Sequence, residues 1–241
     1  MKAASTTVPD EARAWWRTLW SALVALWPAL AGALAFRYAC YAAMMLLALW
    51  AEGRAAPAAH DVLLDNLPYV PWIDRVNYWA WLGAYLPISC VLLALEPRRW
   101  TRYMVTGGLV SLARGACIAL TTLGAPGSGS VEVVPSGTGF WTAYAALLSP
   151  IGVFADDAIH AHLSQDLFFS GHAATTFLLL LYVWHRPVLR WLALAGHLAM
   201  VAAVLLSHIH YSIDVVGAWA VTFSLFALRE WNPRASSRAA G

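Results

Sequence analysis

Lysine is all but missing from this chain: Lys2 is the only one among 241 residues, and arginine carries nearly all the positive charge. Charge of either sign is scarce, at 12% of the sequence, against about 25% in soluble domains. Together with 61% hydrophobic residues and 14 tryptophans, that scarcity excludes a soluble globular protein and leaves an integral membrane protein. No basic stripe lies outside the loops that flank apolar runs, which excludes nucleic acid as a partner. Cysteine is sparse as well. Cys40, Cys90 and Cys117 all fall inside apolar runs, are odd in number and show no metal-ligand spacing. They exclude a disulfide framework or a zinc site and read as packing residues. No internal repeat is visible, and residues 1–17 lack a short apolar core followed by a small-residue cleavage site, so no removable signal peptide is expected.

What the chain has in quantity is long apolar runs. A crossing needs about 20 apolar residues, and runs near that length fall at 30–50, 76–95, 103–123, 167–184, 188–207 and 211–229. Ahead of the first, Arg13, Trp15, Trp16, Arg17, Trp20 and Trp27 lead up to Pro28. Tryptophan with arginine suits the headgroup layer, so an amphipathic helix lying on the membrane is expected there. Arg37 falls inside the first run; either it reaches to the near surface or residues 19–36 form the span. Residues 140–154 are apolar but short and contain Pro150, which suggests a re-entrant or interfacial segment. The expected fold class is therefore all-α: a polytopic membrane protein of six transmembrane helices with an N-terminal interfacial amphipathic helix. The expected parts are an interfacial segment 1–28, a six-helix membrane catalytic domain 29–230 and a flexible tail 231–241.

Six spans put both ends on one side. That side collects Lys2, Arg13, Arg17, Arg98, Arg99, Arg102, Arg186, Arg190, Arg229, Arg234 and Arg238, and the opposite loops hold only Arg54 and Arg75. By the positive-inside rule the termini are expected in the cytoplasm of a plasma or bacterial inner membrane.

Two polar stretches then share the outer face: 166–172, which reads Asp-Leu-Phe-Phe-Ser-Gly-His, and 208–214, which reads His-Ile-His-Tyr-Ser-Ile-Asp. His210 and Asp214 stand four residues apart, so on a helix they share one side. A carboxylate on one imidazole nitrogen fixes the tautomer and leaves the other nitrogen to attack or to accept a proton. His172, across the helical hairpin, supplies the complementary acid. Such a set suits phosphoryl-group transfer through a covalent phosphohistidine, with His172, His210 and Asp214 as the catalytic residues. Arg114, a lone charge in mid-span, is expected to pair with substrate phosphate or with Asp166. Ser170 is expected to cap the turn that carries His172, and it joins Tyr211 and Arg114 as candidate substrate-contacting residues.

These two stretches resemble the sphingomyelin synthase family, within the broader lipid phosphate phosphatase superfamily. Arg98-Arg99, the run 114–126 and the proline-rich loop 67–74 add to the resemblance, which covers about residues 60–230. It implies His172, His210 and Asp214 as a triad, Asp166 beside the headgroup site, and the phospholipid donor and lipid-hydroxyl acceptor of a headgroup transferase. Phosphocholine or phosphoethanolamine would pass from a glycerophospholipid to ceramide or diacylglycerol, with no cofactor and no metal. The phosphatases of the superfamily clamp phosphate with a lysine–arginine element and an arginine six residues before the attacking histidine. Here the only lysine is Lys2 and Val204 holds that position, while Ile209 stands where the synthases often have an acid.

Three other readings compete. A phosphatase or phospholipase C-type hydrolase of the same superfamily would use the same residues with water as acceptor. A non-enzymatic transporter or scaffold would need a mid-bilayer site on repeated, broken helices. A metal could sit on Asp156, Asp157, His160 and His162, whose spacing is irregular. Trp141 and Trp219 fit packing, or a choline-like group by cation–π contact.

Overall fold

The computed structural model describes residues 10–54, 56–121, 123–126, 138–149, 163 and 166–230; for 10–15, 74–75 and 138 only the backbone is described. Eight helices are described: α1 (Asp10–Glu52), α2 (Val62–Asp65), α3 (Pro71–Leu95), α4 (Pro97–Leu120), α5 (Thr138–Leu148), α6 (Gly171–Val183), α7 (Pro187–Leu206) and α8 (Ser212–Glu230). No strand occurs among the described residues; a single bridge joins Ala58 to Gly124. The protein is an all-α polytopic membrane protein. Five helices are long and apolar enough to cross a membrane: Trp16–Glu52 of α1, Val76–Leu95 of α3, and α4, α7 and α8. Helix α6 adds a shorter apolar segment.

Two departures from the sequence reading have local causes. The interfacial helix and the first span are one helix, α1, which runs through Pro28 without a break. Its 43 residues, at about 1.5 Å each, make it about twice the length a bilayer's hydrocarbon core requires. Proline removes only one backbone donor, and the surrounding Ala-Leu-Trp sequence favours helix on both sides. The second departure lies at 167–170, which is not helical. Ser170 stops the helix of α6 from extending backward, and the backbone before it is buried in protein, where irregular structure at membrane depth is tolerated.

Helix α4 is the hub. Gly107, Gly108 and Gly115 give it a face without side chains, and Arg37, Phe36, Cys40 and Met44 of α1 press into that face. Small residues let helices approach closely where lipid offers no hydrophobic drive. Arg37 thus lies along α4, in the space a side chain at Gly107 would fill. The described part of the segment expected to be re-entrant or interfacial belongs to α5, an apolar helix packed on α1. Tyr38 and Tyr41 of α1 donate to the Leu148 and Leu147 carbonyls, and Tyr144 donates back to the Ala42 carbonyl. Pro150 and the tail 231–241 lie outside the described residues.

Alternating helices bring the same chain ends together. At one end, the α3–α4 corner meets the α6–α7 turn: Glu96 accepts from His185 Nε2 at 2.8 Å and Arg186 Nε at 2.7 Å. Partial burial opposes charge on Glu96, but these two donors outweigh it and hold the carboxyl below its usual range. Arg102 pairs with Glu230, which also accepts from Tyr182 Oη at 2.7 Å. At the other end lie the close of α1, α4 and α7 and the start of α3, α6 and α8. Arg54 donates to the last carbonyls of α4, and the Val70 N–H donates to the Leu206 carbonyl closing α7. The two polar motifs share this second end.

Candidate active site

The first motif is a buried non-helical strap followed by a helix start. Leu167 packs with Leu64 and Tyr211, Phe169 is fully buried in the main core, and Phe168 lies against Gly217 of α8. Ser170 has a non-helical ψ of 118°, and its hydroxyl accepts from the Ala173 N–H at 3.4 Å, a long N-cap bond. Its own N–H donates to the Asp214 carbonyl at 3.1 Å. That bond ties the Ser-Gly-His turn directly to the helix turn that carries the acid.

The second motif opens with a helix stop. Leaving α7, the Ile209 N–H bonds to the Val204 carbonyl and the His208 N–H to the Leu205 carbonyl. Paired bonds of this kind form a Schellman motif, whose C′ residue is usually glycine because it needs a left-handed backbone. Here the position belongs to His208, at φ 51°, a conformation that costs a side-chain-bearing residue about 1 kcal/mol or more. Its ring lies 5.6 Å from that of Tyr69, and its Nε2 is buried without a hydrogen-bond partner among the described residues. Sequence reasoning used His208 only as part of a motif. The signal it missed was a histidine where a helix end calls for glycine.

The turn delivers His210 and Asp214 to the start of α8. His210 Nδ1 stands 3.3 Å from Asp214 Oδ2, the same oxygen that accepts the Tyr211 N–H at 2.8 Å. Asp214 is fully buried and His210 is 4% exposed. An anionic carboxylate on Nδ1 holds the proton there and leaves Nε2 with a free lone pair. The His172 ring lies 6.3 Å from that of His210, centre to centre, and the edge-on Trp81 ring lies 5.7 Å from His172. Trp81 in turn stacks on Tyr85, so α3 supplies an aromatic wall beside the histidines. The three residues read as catalytic are thus brought to one place. Their arrangement suits a nucleophile, its orienting acid and a second proton carrier.

Arg114 and Asp166 also meet, and they meet each other. Arg114 Nη2 lies 2.9 Å from Asp166 Oδ1 as a close ion pair off hydrogen-bond alignment, and also donates to the Asp166 backbone carbonyl at 3.0 Å. Nε donates to the Phe169 carbonyl at 2.6 Å, and Nη1 faces Met44 Sδ at 3.5 Å. Asp166, one of the two partners expected from sequence, is in place, and the guanidinium binds the strap that leads into His172. Gly171 makes room for it, since a Cβ there would lie 3.1 Å from Arg114 Cζ. Gly171→Ala is therefore expected to cost about 1–3 kcal/mol through overpacking, read as a lower midpoint of thermal unfolding in detergent. An unchanged midpoint would mean that Arg114 does not fill that space.

Tyr211 is buried, and both its hydroxyl bonds go to backbone: it donates to the Gly124 carbonyl and accepts from the Ala59 N–H. Beside it, Asp61 caps α2 and accepts the Ser212 N–H at 2.6 Å. Burial raises the Asp61 pKa, but the backbone donors of Ser212, Leu64 and Leu63 prevail and hold it below the usual value. Together these residues stitch the loops 56–61 and 123–126 to the start of α8. Trp141 is exposed on α5 against Phe140 and Tyr144, and Trp219 turns its indole N–H to His197. Asp156, Asp157, His160 and His162 lie outside the described residues.

Comparison with known proteins picks out the same region. Residues 164–231, which hold both motifs, match the PAP2 superfamily C-terminal family. Sphingomyelin synthase-related protein 1 of mouse is 27% identical, aligned over 70% of this chain and 37% of its own length. The human protein of that name is 26% identical over 70% of this chain and 43% of its own. Human phosphatidylcholine:ceramide cholinephosphotransferase 1 is also 26% identical, over the same shares. The matched part thus spans about two fifths of these curated relatives.

Proposed function

We propose, from the chain's place as a sphingomyelin synthase-like member of the PAP2 superfamily, that it moves the phosphoryl headgroup of a glycerophospholipid to the hydroxyl of ceramide or diacylglycerol. At the coarse level, the relatives support a lipid headgroup transferase- or phosphatase-type activity. The observation that carries the finer reading is the His210–Asp214 contact with His172 beside it.

In the first step, His210 Nε2 attacks phosphorus and the bond to the glycerol oxygen breaks. His172 donates a proton to the leaving oxygen, and diacylglycerol departs. Asp214 balances the positive charge on the phosphorylated ring and keeps Nδ1 protonated. In the second step, His172, now neutral, takes the proton of the incoming hydroxyl. Its oxygen attacks phosphorus, and His210 leaves as a neutral ring. Arg114 and Asp166 hold the strap beneath His172, and Ser170 and Tyr211 fix the two ends of the site. Purified protein incubated with headgroup-labelled phosphatidylcholine or phosphatidylethanolamine plus ceramide or diacylglycerol, followed by lipid separation, tests the assignment. Label in a new lipid is expected; label released only as a water-soluble phosphoester would give the hydrolase reading instead.

The site is proposed to face away from the cytoplasm. Arg98, Arg99, Arg102, Arg186, Arg190 and Arg229 lie toward the opposite end of the helices, and such clusters stay inside. Val62 is 68% exposed, so Val62→Cys in a cysteine-free background is expected to react with an impermeant maleimide in intact cells, and Ser236→Cys only after lysis. The opposite pattern would reverse the orientation.

A further inference from the structure

His197 lies in the middle of α7, in an apolar run, and is 3% exposed. Histidines in such places are uncommon unless they pair or line a pathway. Both its ring nitrogens have partners on other helices. Trp219 of α8 donates its indole N–H to His197 Nε2 at 2.8 Å, and His197 Nδ1 lies 2.8 Å from Thr176 Oγ1 of α6. An indole nitrogen only donates. Nε2 therefore carries no proton, the neutral ring keeps its proton on Nδ1, and that N–H donates to the Thr176 oxygen. The hydroxyl proton of Thr176 is then directed to a carbonyl: that of His172 at 2.9 Å, with that of Ala173 farther off at 3.3 Å. Donation runs one way, from Trp219 through His197 and Thr176 to the backbone of His172.

We infer that His197 is a positioning residue for His172, acting through Thr176 and held in its tautomer by Trp219. The inference rests on the headgroup-transfer reading for its functional consequence, not for its geometry. A threonine hydroxyl bonded to the carbonyl four residues back bends or tightens the turn between them. Here that turn is the first of α6 and carries the proposed proton donor. The other face of that turn is fixed by Ser170 on the Asp214 carbonyl and by Arg114 on the strap. His197 supplies the fixed point on the side away from Arg114's strap, and the chain crosses the three helices that build the site. A charged His197 would set a donor against the Trp219 N–H, so the ring is suited to hold position and not to carry protons.

Thr176→Val keeps shape and removes the hydroxyl, Thr176→Ser restores it, and His197→Phe keeps a ring without nitrogens. All are to be made in the full chain and checked for a monodisperse peak in detergent. With headgroup-labelled phosphatidylcholine and a ceramide acceptor, Thr176→Val and His197→Phe are expected to lose about tenfold or more in kcat, since small misplacements of a reacting group have such effects. KM is expected to stay within about twofold because the lipid contacts remain. Thr176→Ser is expected to recover most of the rate. Wild-type kcat in Thr176→Val would overturn the inference even if His197→Phe failed to fold. If the wild type turns over no diester, the transfer reading fails on its own account. The inference is then decided by nitrogen-15 spectra of histidine-labelled protein. A Nδ1-protonated His197 and displaced His172 ring signals in Thr176→Val support it; unmoved His172 signals sink it.

Discussion

His210→Ala is expected to abolish headgroup transfer, and Asp214→Asn to lower it by roughly 10³–10⁴-fold, the scale seen when an orienting carboxylate is replaced in a histidine-based site. The two losses have different causes. Alanine removes the proposed nucleophile. Asparagine keeps the shape and an acceptor for the Tyr211 N–H, which Asp214 Oδ2 now binds at 2.8 Å. With its carbonyl oxygen held there, the amide still offers that oxygen to His210 Nδ1, which faces the same atom at 3.3 Å, and its NH₂ group takes the place of Oδ1, which has no hydrogen-bond partner among the described residues. The expected effect comes from loss of the negative charge, because a phosphorylated imidazolium in a buried site would have no other anion on its Nδ1 side among the described contacts. Both variants are expected to stay folded, since the Ser170 bond uses the backbone carbonyl of residue 214 and not its side chain. The His210→Ala/Asp214→Asn double variant is expected to be no slower than His210→Ala alone, as residues that act as a unit are non-additive. Initial rates with labelled donor, beside gel filtration of each variant, check this. A near-normal rate in either single variant would remove His210 as the attacking group.

The parts of this site that were legible in sequence are the local ones. His210 and Asp214 are four residues apart on one helix, so their contact needs no knowledge of the fold. Ser170 before a glycine and an apolar run announces a helix start. The pairing of the two motifs was legible only through the hairpin that joins them, because a helix down and a helix back return the chain to one face. Arg114 is an intermediate case: a mid-span charge announces a partner, but which partner depends on the packing of α4 against the strap. Three features left too little trace. Pro28 suggested a break in α1 because one residue cannot reveal that both flanks stay helical. His208 did not advertise its left-handed backbone, since side-chain chemistry drew attention first. His197 was not singled out in the sequence, because its meaning depends on Trp219 and Thr176 from two other helices.

Phosphatidic acid is expected to be a poor substrate and a choline- or ethanolamine-bearing diester a good one. A phosphomonoester brings nearly two negative charges, and an uncompensated charge in a low-dielectric site costs several kcal/mol. Enzymes that take monoesters meet that charge with forked or clustered cations. This chain has no lysine beyond Lys2, and Val204 stands where a phosphate-binding arginine would be. The structure sharpens the point. Arg114, which holds the strap before His172, is matched by Asp166 and spends its Nε and Nη2 donors on the Phe169 and Asp166 carbonyls. Arg54, at the same end, closes the last turn of α4. A diester brings one charge, and in the proposed reaction a proton taken up by His172 as that anion binds would balance it and then pass to the leaving oxygen. In that reaction charge and proton would come from one side chain, so chelator is expected to leave the rate unchanged. In the proposed reaction the headgroup would stay on His210, which is 4% exposed, once diacylglycerol had left, so a lipid hydroxyl arriving from the bilayer would compete well against water. Slow hydrolysis is expected as leakage, and added ceramide or diacylglycerol should divert label from the water-soluble product into lipid. Release of inorganic phosphate from phosphatidic acid faster than consumption of any diester would overturn the transferase assignment and leave a phosphatase built without the usual clamp.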